Sequence, residues 1–256
     1  MLAIQILGVL GLALLAVMVA VVAAVAIPHL SRRKLADRAD LDGMYLVKDL
    51  MVSACVIPLG DHEAALVDAG MDKAGSAIVA ELVRHGLEPG DVKAILLTHG
   101  HHDHVGAVGR FPNAQVMALA AESEVVEGRS GGGSPLLRVL PTRLTGIKIS
   151  RLLRDGEAFP LGPYQVRVFA IPGHTPGSAA FAIGPNLFLG DSADAGRNGR
   201  LQASPWIFSQ STAQNRASLA DLGRRLAGDG AIRRLVFGHS APLEKGVVSL
   251  EGVSQR

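Results

Sequence analysis

Thr98-His99-Gly100-His101-His102-Asp103-His104 follows the apolar run Ala94-Ile95-Leu96-Leu97 and leads into Val105-Gly106-Ala107-Val108-Gly109. Its pattern is His-x-His-x-Asp-His. Neutral imidazole and carboxylate are ligands suited to zinc and similar divalent ions. As core packing, the same cluster would set desolvated polar rings side by side with no partner except a metal. Incidental His-rich tracts lie in polar, low-complexity sequence; this one closes a strand-like run.

Further donors of the same kind occur downstream. Val166-Arg167-Val168-Phe169-Ala170-Ile171 leads to Pro172-Gly173-His174-Thr175-Pro176-Gly177, Leu187-Phe188-Leu189 leads to Gly190-Asp191, and Leu235-Val236-Phe237 leads to Gly238-His239. Each time a short β-type run is followed by a glycine and then a potential ligand. Glycine permits a sharp strand exit and close backbone approach, so donors at the ends of neighbouring strands can converge on one mouth of a sheet.

With this ordered set, the chain resembles the metallo-β-lactamase-fold metallo-hydrolase superfamily, in its glyoxalase II/lactonase-like branch, from about Met44 to the C-terminus. The resemblance implies an α/β fold, a four-layer αββα sandwich with metals at one edge of the two sheets. It implies two zinc ions, one held by His99, His101 and His174, the other by Asp103, His104 and His239, with Asp191 bridging. Asp103 would also orient a metal-bridging hydroxide as the catalytic carboxylate, and His102, at an x position, would point away. Asp68, in the turn Asp68-Ala69-Gly70, would stand behind the site and hold an imidazole N–H.

The implied activity is cleavage of an ester-type carbonyl, a thioester or lactone foremost, in a small-molecule substrate. True β-lactamases of the group generally lack the bridging carboxylate supplied here by Asp191, which argues against β-lactam hydrolysis as the main activity. Glyoxalase II enzymes usually add a C-terminal helical region, whereas residues 240–256 alone follow His239. Some lactonases place a Tyr soon after the bridging Asp; here Ser192, Ala193 and Asp194 follow. One alternative is a mononuclear iron enzyme resembling the persulfide dioxygenases, which needs His99, His174 and Asp191. Another is a non-catalytic, membrane-tethered metal-binding module, against which the complete ligand set argues. No Gly-x-Ser-x-Gly elbow supplies a rival nucleophile.

A net charge of +2 over 256 residues, with no basic stripe, excludes a nucleic-acid footprint, and nothing points to a partner protein. Cys55 is the single cysteine, expected to be buried and inert. Residues 2–27 are apolar except for Gln5. Residues 1–30 read as an uncleaved transmembrane helix, with a secretory signal peptide as the rival. Arg32, Arg33, Lys34 and Arg38 follow that segment and nothing basic precedes it, which places the catalytic domain in the cytoplasm; a cleaved signal would place it outside. Residues 31–43 read as a charged linker and 44–256 as the hydrolase domain.

Within that domain, Met44–Pro58 reads as long β structure or as two strands with a kink, and Lys73–His85 as a helix capped by Gly86. Ala114–Leu119 reads as a strand, Ala120–Glu127 as a short helix, and Ser211–Leu226 as a helix opened by a capping box. His85 is expected to face its helix dipole and His62 to sit in a turn. The glycine-rich stretch 129–135 reads either as a substrate-facing insertion or as a plain surface loop. Trp206, Ile207 and Phe208 are candidate walls of a substrate pocket, Trp206 and Phe208 foremost.

Overall fold

The computed structural model describes residues 2–138, 141–244 and 250, without the side chains of residues 2–14 and 25. The chain divides into two compact units, Met1–Arg32 and Arg33–Arg256. The first is a single helix, α1 (Leu2–Ser31). Among the described residues no helix is long and apolar enough to cross a membrane. Of the anchor expected over residues 1–30, the side chains of residues 1–14 and 25 lie outside the described residues.

The second unit holds two main sheets. One has seven strands in sequence order: β1 (Arg38–Asp40), β2 (Tyr45–Asp49), β3 (Val52–Gly60), β4 (Glu63–Val67), β5 (Val92–Leu96), β6 (Gln115–Leu119) and β7 (Arg151–Leu153). β1 to β4 form an antiparallel meander, and β4 to β7 are parallel. The other contains β8 (Ala158–Leu161), β9 (Tyr164–Ala170), β10 (Ala179–Ile183) and β11 (Asn186–Phe188) as a second meander. A short hairpin, β12 (Ala193–Ala195) and β13 (Leu201–Ala203), stands apart, and β14 (Arg234–Val236) adds parallel to β11.

Strand alternation sorts the side chains into three cores. Cys55, Ile57, Leu96 and Met117 from the first sheet meet Val166, Val168, Phe181 and Phe188 from the second. On the outer face of the first sheet, Ala54, Val56, Leu66 and Ile95 pack with Ile78 and Leu82 of α2 (Ser76–Arg84). On the outer face of the second, Phe169, Ile171, Ala180 and Leu235 pack with Leu219 and Leu222 of α5 (Thr212–Arg225). Two further helices are single turns, α3 (His102–Val105) and α4 (Ser123–Val126). This is the four-layer αββα sandwich.

Several local expectations are adjusted. Residues 38–40, expected to be linker, form edge strand β1. The expected kink within 44–58 is a full reversal, because Asp49 pairs with Val52 and Leu50 takes a positive φ of 57° between them. The helix expected from Lys73 begins at Ser76, after Gly75 in a left-handed conformation. Ala120–Glu127 divides into a 3-10 turn, Ala120–Glu122, and α4. Ser211 does cap α5, its side chain accepting from Gln214 N–H at 3.2 Å. His85 does not answer chiefly to its helix dipole: its Nε2 lies 2.9 Å from Oε1 of the buried Glu81, and its ring packs on Tyr45. His62 is an exposed turn residue, and Cys55 is buried.

Phe181 is fully buried between the sheets. Phe181→Ala should cost about 3–5 kcal/mol of stability, read as a lower urea midpoint at unchanged slope.

Candidate metal centre

Four strand exits build the site. The loop after β5 carries His99 and His101, and α3 continues with Asp103 and His104. His174 follows β9, Asp191 sits in the 3-10 turn Gly190–Ser192 after β11, and His239 follows β14. The first donors thus come from the seven-stranded sheet and the rest from the five-stranded one. Ser53 of β3 ties the two together here, its N–H donating to Gly238 O at 2.8 Å and its hydroxyl to Phe237 O at 2.9 Å.

Two groups can each hold a cation. In the first, His174 Nε2 lies 3.3 Å from His99 Nε2 and 3.1 Å from His101 Nδ1. Ligand nitrogens at the corners of a tetrahedron around zinc, each about 2.0–2.1 Å from the ion, stand about 3.3–3.4 Å apart, so the spacing suits that donor set. In the second group, His239 Nε2 is 3.2 Å from Asp103 Oδ2 and 3.1 Å from Asp191 Oδ2, and His104 Nε2 is 3.2 Å from Asp191 Oδ1. Asp191 Oδ2 is also 3.8 Å from His174 Nε2, so this carboxylate faces both groups. His104 Nε2 and Asp191 Oδ1 are buried without a hydrogen-bond partner among the described residues, although near each other. Buried polar atoms left in this way fit a missing cation. His102 points away, its side chain 73% exposed.

Outer partners fix the rings. Asp68 Oδ2 lies 2.8 Å from His104 Nδ1, where the sequence led us to expect it. The same carboxylate accepts from Thr98 N–H and Thr98 Oγ1, each at 2.7 Å. Thr98 Oγ1 is 3.2 Å from His99 Nδ1, Ser204 Oγ is 2.8 Å from His174 Nδ1, and the Met51 carbonyl is 2.8 Å from His239 Nδ1. Each contact suits a ring that donates from Nδ1 and keeps its Nε2 lone pair facing inward. Ser209 supports Ser204 at 2.8 Å, and buried Asn215 accepts from Ser204 N–H and donates to Ser192 O. Sequence reading had not singled out Thr98, Ser204, Ser209, Asn215 or Met51. Thr98 was discoverable as a hydroxyl next to the first histidine; nothing local connects the others to the site.

A close approach also explains one glycine. A Cβ on Gly238 would stand 2.2 Å from Asp191 Oδ1 and 2.7 Å from His104 Cε1. Any side chain there would displace the two residues that face each other across the second group.

The electrostatics divide the groups. Burial, together with neighbouring imidazoles, holds His99 well below its ordinary value. Burial likewise lowers His101 to about 4 and His174 to about 3. Burial opposes charge on His104 and His239 too, but the adjacent carboxylates, Asp191 first, prevail: His104 is raised and His239 reaches about 10. Burial works against ionised Asp103 and Asp191 in turn, yet His104 and His239 hold both below the usual carboxylate range.

Of the expected pocket residues, Trp206 is 57% exposed, Ile207 is buried and Phe208 is half-buried, all in the 3-10 turn Trp206–Phe208. That turn starts two residues after Ser204, which touches His174. The glycine-rich loop runs beside the site: a Cβ on Gly132 would lie 3.3 Å from His101 Nε2.

A profile of the Metallo-beta-lactamase superfamily matches residues 47–239. The chain is 29% identical over 162 residues to a hydroxyacylglutathione hydrolase of Edwardsiella ictaluri, covering 63% of this chain and 54% of that one. It is 36% identical over 144 residues to a hydroxyacylglutathione hydrolase of Gloeobacter violaceus, covering 55% and 50% respectively. The chain thus spans about half the length of these curated relatives. Among solved structures, a metallo-beta-lactamase family protein of Thermus thermophilus superposes with a TM-score of 0.62 at 28% identity, covering 84% of this chain and 79% of that one. The Rm3 metallo-beta-lactamase superposes with a TM-score of 0.62 at 25% identity, covering 82% and 81%.

Stability of the metal-stripped protein should peak near about pH 6.5, the ordinary histidine value. Below it, the unfolded chain protonates His99, His101 and His174 while the fold keeps them neutral. Above it, the fold retains protons on His104 and His239 that the unfolded chain has released. Thermal melts of chelator-treated protein across pH 4.5–9 test this (a range of about two units either side); stability rising steadily through the whole range would contradict it.

Proposed function

We propose that this chain, which belongs to the metallo-beta-lactamase superfamily, is a dinuclear zinc hydrolase that cleaves an ester-type carbonyl, a thioester foremost and a lactone next. The observation that carries the two-metal reading is Asp191, one carboxylate with oxygens toward both His104 and His239 and 3.8 Å from His174. A single iron on His99, His174 and Asp191 would leave the half-buried Asp103 and His239 and the buried His104 without a role. The thioester preference draws on the hydroxyacylglutathione hydrolases among the relatives.

Bound zinc supplies water activated at neutral pH and a Lewis acid for the substrate carbonyl. His99, His101 and His174 would hold one ion, Asp103, His104 and His239 the other, with Asp191 shared. Neutral histidines in the first group are ready to bind, whereas His104 and His239 must each release a proton. Asp103, held ionised and 15% exposed at its side chain, would accept a hydrogen bond from the attacking water and so orient it. Asp68 keeps the His104 ring in place. Trp206 offers an exposed apolar face to the acyl or leaving group, with Phe208 beside it in the same turn.

Metal quantification on the purified protein, followed by anaerobic assay with thioester, lactone and β-lactam panels, tests the reading. Two zinc equivalents and thioester or lactone turnover are expected. One iron with oxygen consumption would replace the reading by the dioxygenase-like one, and a metal-bound but inert protein by the binding module.

The membrane anchor over residues 1–30 and a cytoplasmic catalytic domain belong to the same proposal. They are supported by the apolar sequence broken by Gln5 alone, by Val17, Met18, Val19, Val22 and Ile27 standing exposed on α1, and by the basic residues that follow. In intact spheroplasts, added protease should leave residues 33–256 uncut; digestion there would place the domain outside.

A further inference from the structure

Glu122 is fully buried in the 3-10 turn after β6, remote in sequence from all seven donors. Its Oε1 accepts from Gly100 N–H at 2.8 Å. Its Oε2 accepts from Gly177 N–H at 2.7 Å and from the Thr175 hydroxyl at 2.8 Å. Gly100 stands between His99 and His101, and Thr175 follows His174. One carboxylate therefore clasps the β5 exit to the β9 exit, joining the two segments that carry the three-histidine group. Its three hydrogen bonds among the described residues go to the Gly100 and Thr175–Gly177 segments.

The contact is closely fitted. A Cβ on Gly100 would come 2.4 Å from Val126 N, so the histidine loop lies directly against α4, the turn that continues from Glu122. Three donors converge on two carboxylate oxygens. An amide in the same place offers one oxygen and one NH2. The NH2 can still donate to Thr175 Oγ1, whose hydroxyl has Ser178 Oγ at 2.7 Å as another partner, but it orphans one backbone N–H. A buried carboxylate carries a desolvation cost that hydrogen bonds must offset, and here these bonds end on the backbone and hydroxyl that frame the histidines.

We propose that Glu122 is a positioning residue for the three-histidine group: it sets the mutual spacing of His99, His101 and His174, and with it the zinc affinity of that group, without touching metal or substrate. This rests on the reading that the group holds a metal.

The test isolates each group in the full chain. His239→Ala disables the second group and leaves the three-histidine one; His101→Ala does the converse. Zinc alone is titrated against a chromophoric chelator in each background, with and without Glu122→Gln, and metal-free melting temperatures are recorded. Glu122→Gln should weaken zinc binding by about 10–100-fold in the His239→Ala background, the range for loss of an outer partner. It should leave affinity unchanged in the His101→Ala background. Thr175→Val, which removes one of the three bonds, should give a smaller loss in the same background and serves if Glu122→Gln does not fold. Equal losses in both backgrounds, or a loss explained by a lower metal-free melting temperature, would reduce Glu122 to a structural residue and overturn the proposal, as would no loss in either. Absence of zinc binding by the unsubstituted protein would instead overturn the metal reading itself.

Discussion

Outward hydrogen bonds from ring nitrogens govern this site. His99 uses Thr98, His104 uses Asp68, His174 uses Ser204 and His239 uses the Met51 carbonyl. With Nδ1 engaged in each, Nε2 is turned inward: those of His99 and His174 toward each other, those of His104 and His239 toward the carboxylates of Asp103 and Asp191. The neutral nitrogens of His99 and His174 converging in a dry interior are unfavourable until something electropositive joins them. The two sheets, the hairpin turn at Leu50–Met51 and the packing of α5 all serve to hold those outer partners in place. His101 is the exception: its Nδ1 faces inward, and its Nε2 is buried beside the glycine-rich loop without a partner among the described residues.

The seven donors were legible in the sequence because ligand chemistry demands specific side chains at strand exits, and strand exits carry glycine. Asp68 was legible through the resemblance, which implies an Asp-x-Gly turn behind the site. The αββα layering came from the resemblance, and the three separate cores bear it out residue by residue. Ser204, Ser209, Asn215 and Glu122 were not legible: Ser204, Asn215 and Glu122 act through contacts distant in sequence, Ser209 acts through Ser204, and serine, asparagine and glutamate are ordinary loop residues until the fold brings them to a histidine loop. The reversal at Leu50–Met51 was hidden because apolar residues occupy the turn itself, where glycine or asparagine would have signalled it. It is also what delivers the Met51 carbonyl to His239.

The same sandwich carries different chemistry according to the residues at its rim. Here the rim holds carboxylates on one side and neutral imidazoles on the other. Asp103 and Asp191 face His104 and His239, which retain protons, whereas His99, His101 and His174 do not. The two groups are therefore unequal before any ion arrives. One is a neutral nitrogen pocket, and the other is an ion-paired cluster in which a cation must displace protons.

His99 and His174 are 75 positions apart in the chain, yet their nitrogens nearly touch. An ion held there closes a loop of that length, and one held between His104 and His239 closes a longer loop that overlaps it. Cross-links over long loops restrict the unfolded chain more than the folded one. With Cys55 as its single cysteine, the chain has no intrachain disulfide with which to do this. Ions at the sandwich rim would serve as its staples, so part of their binding energy would appear as resistance of the two sheets to coming apart.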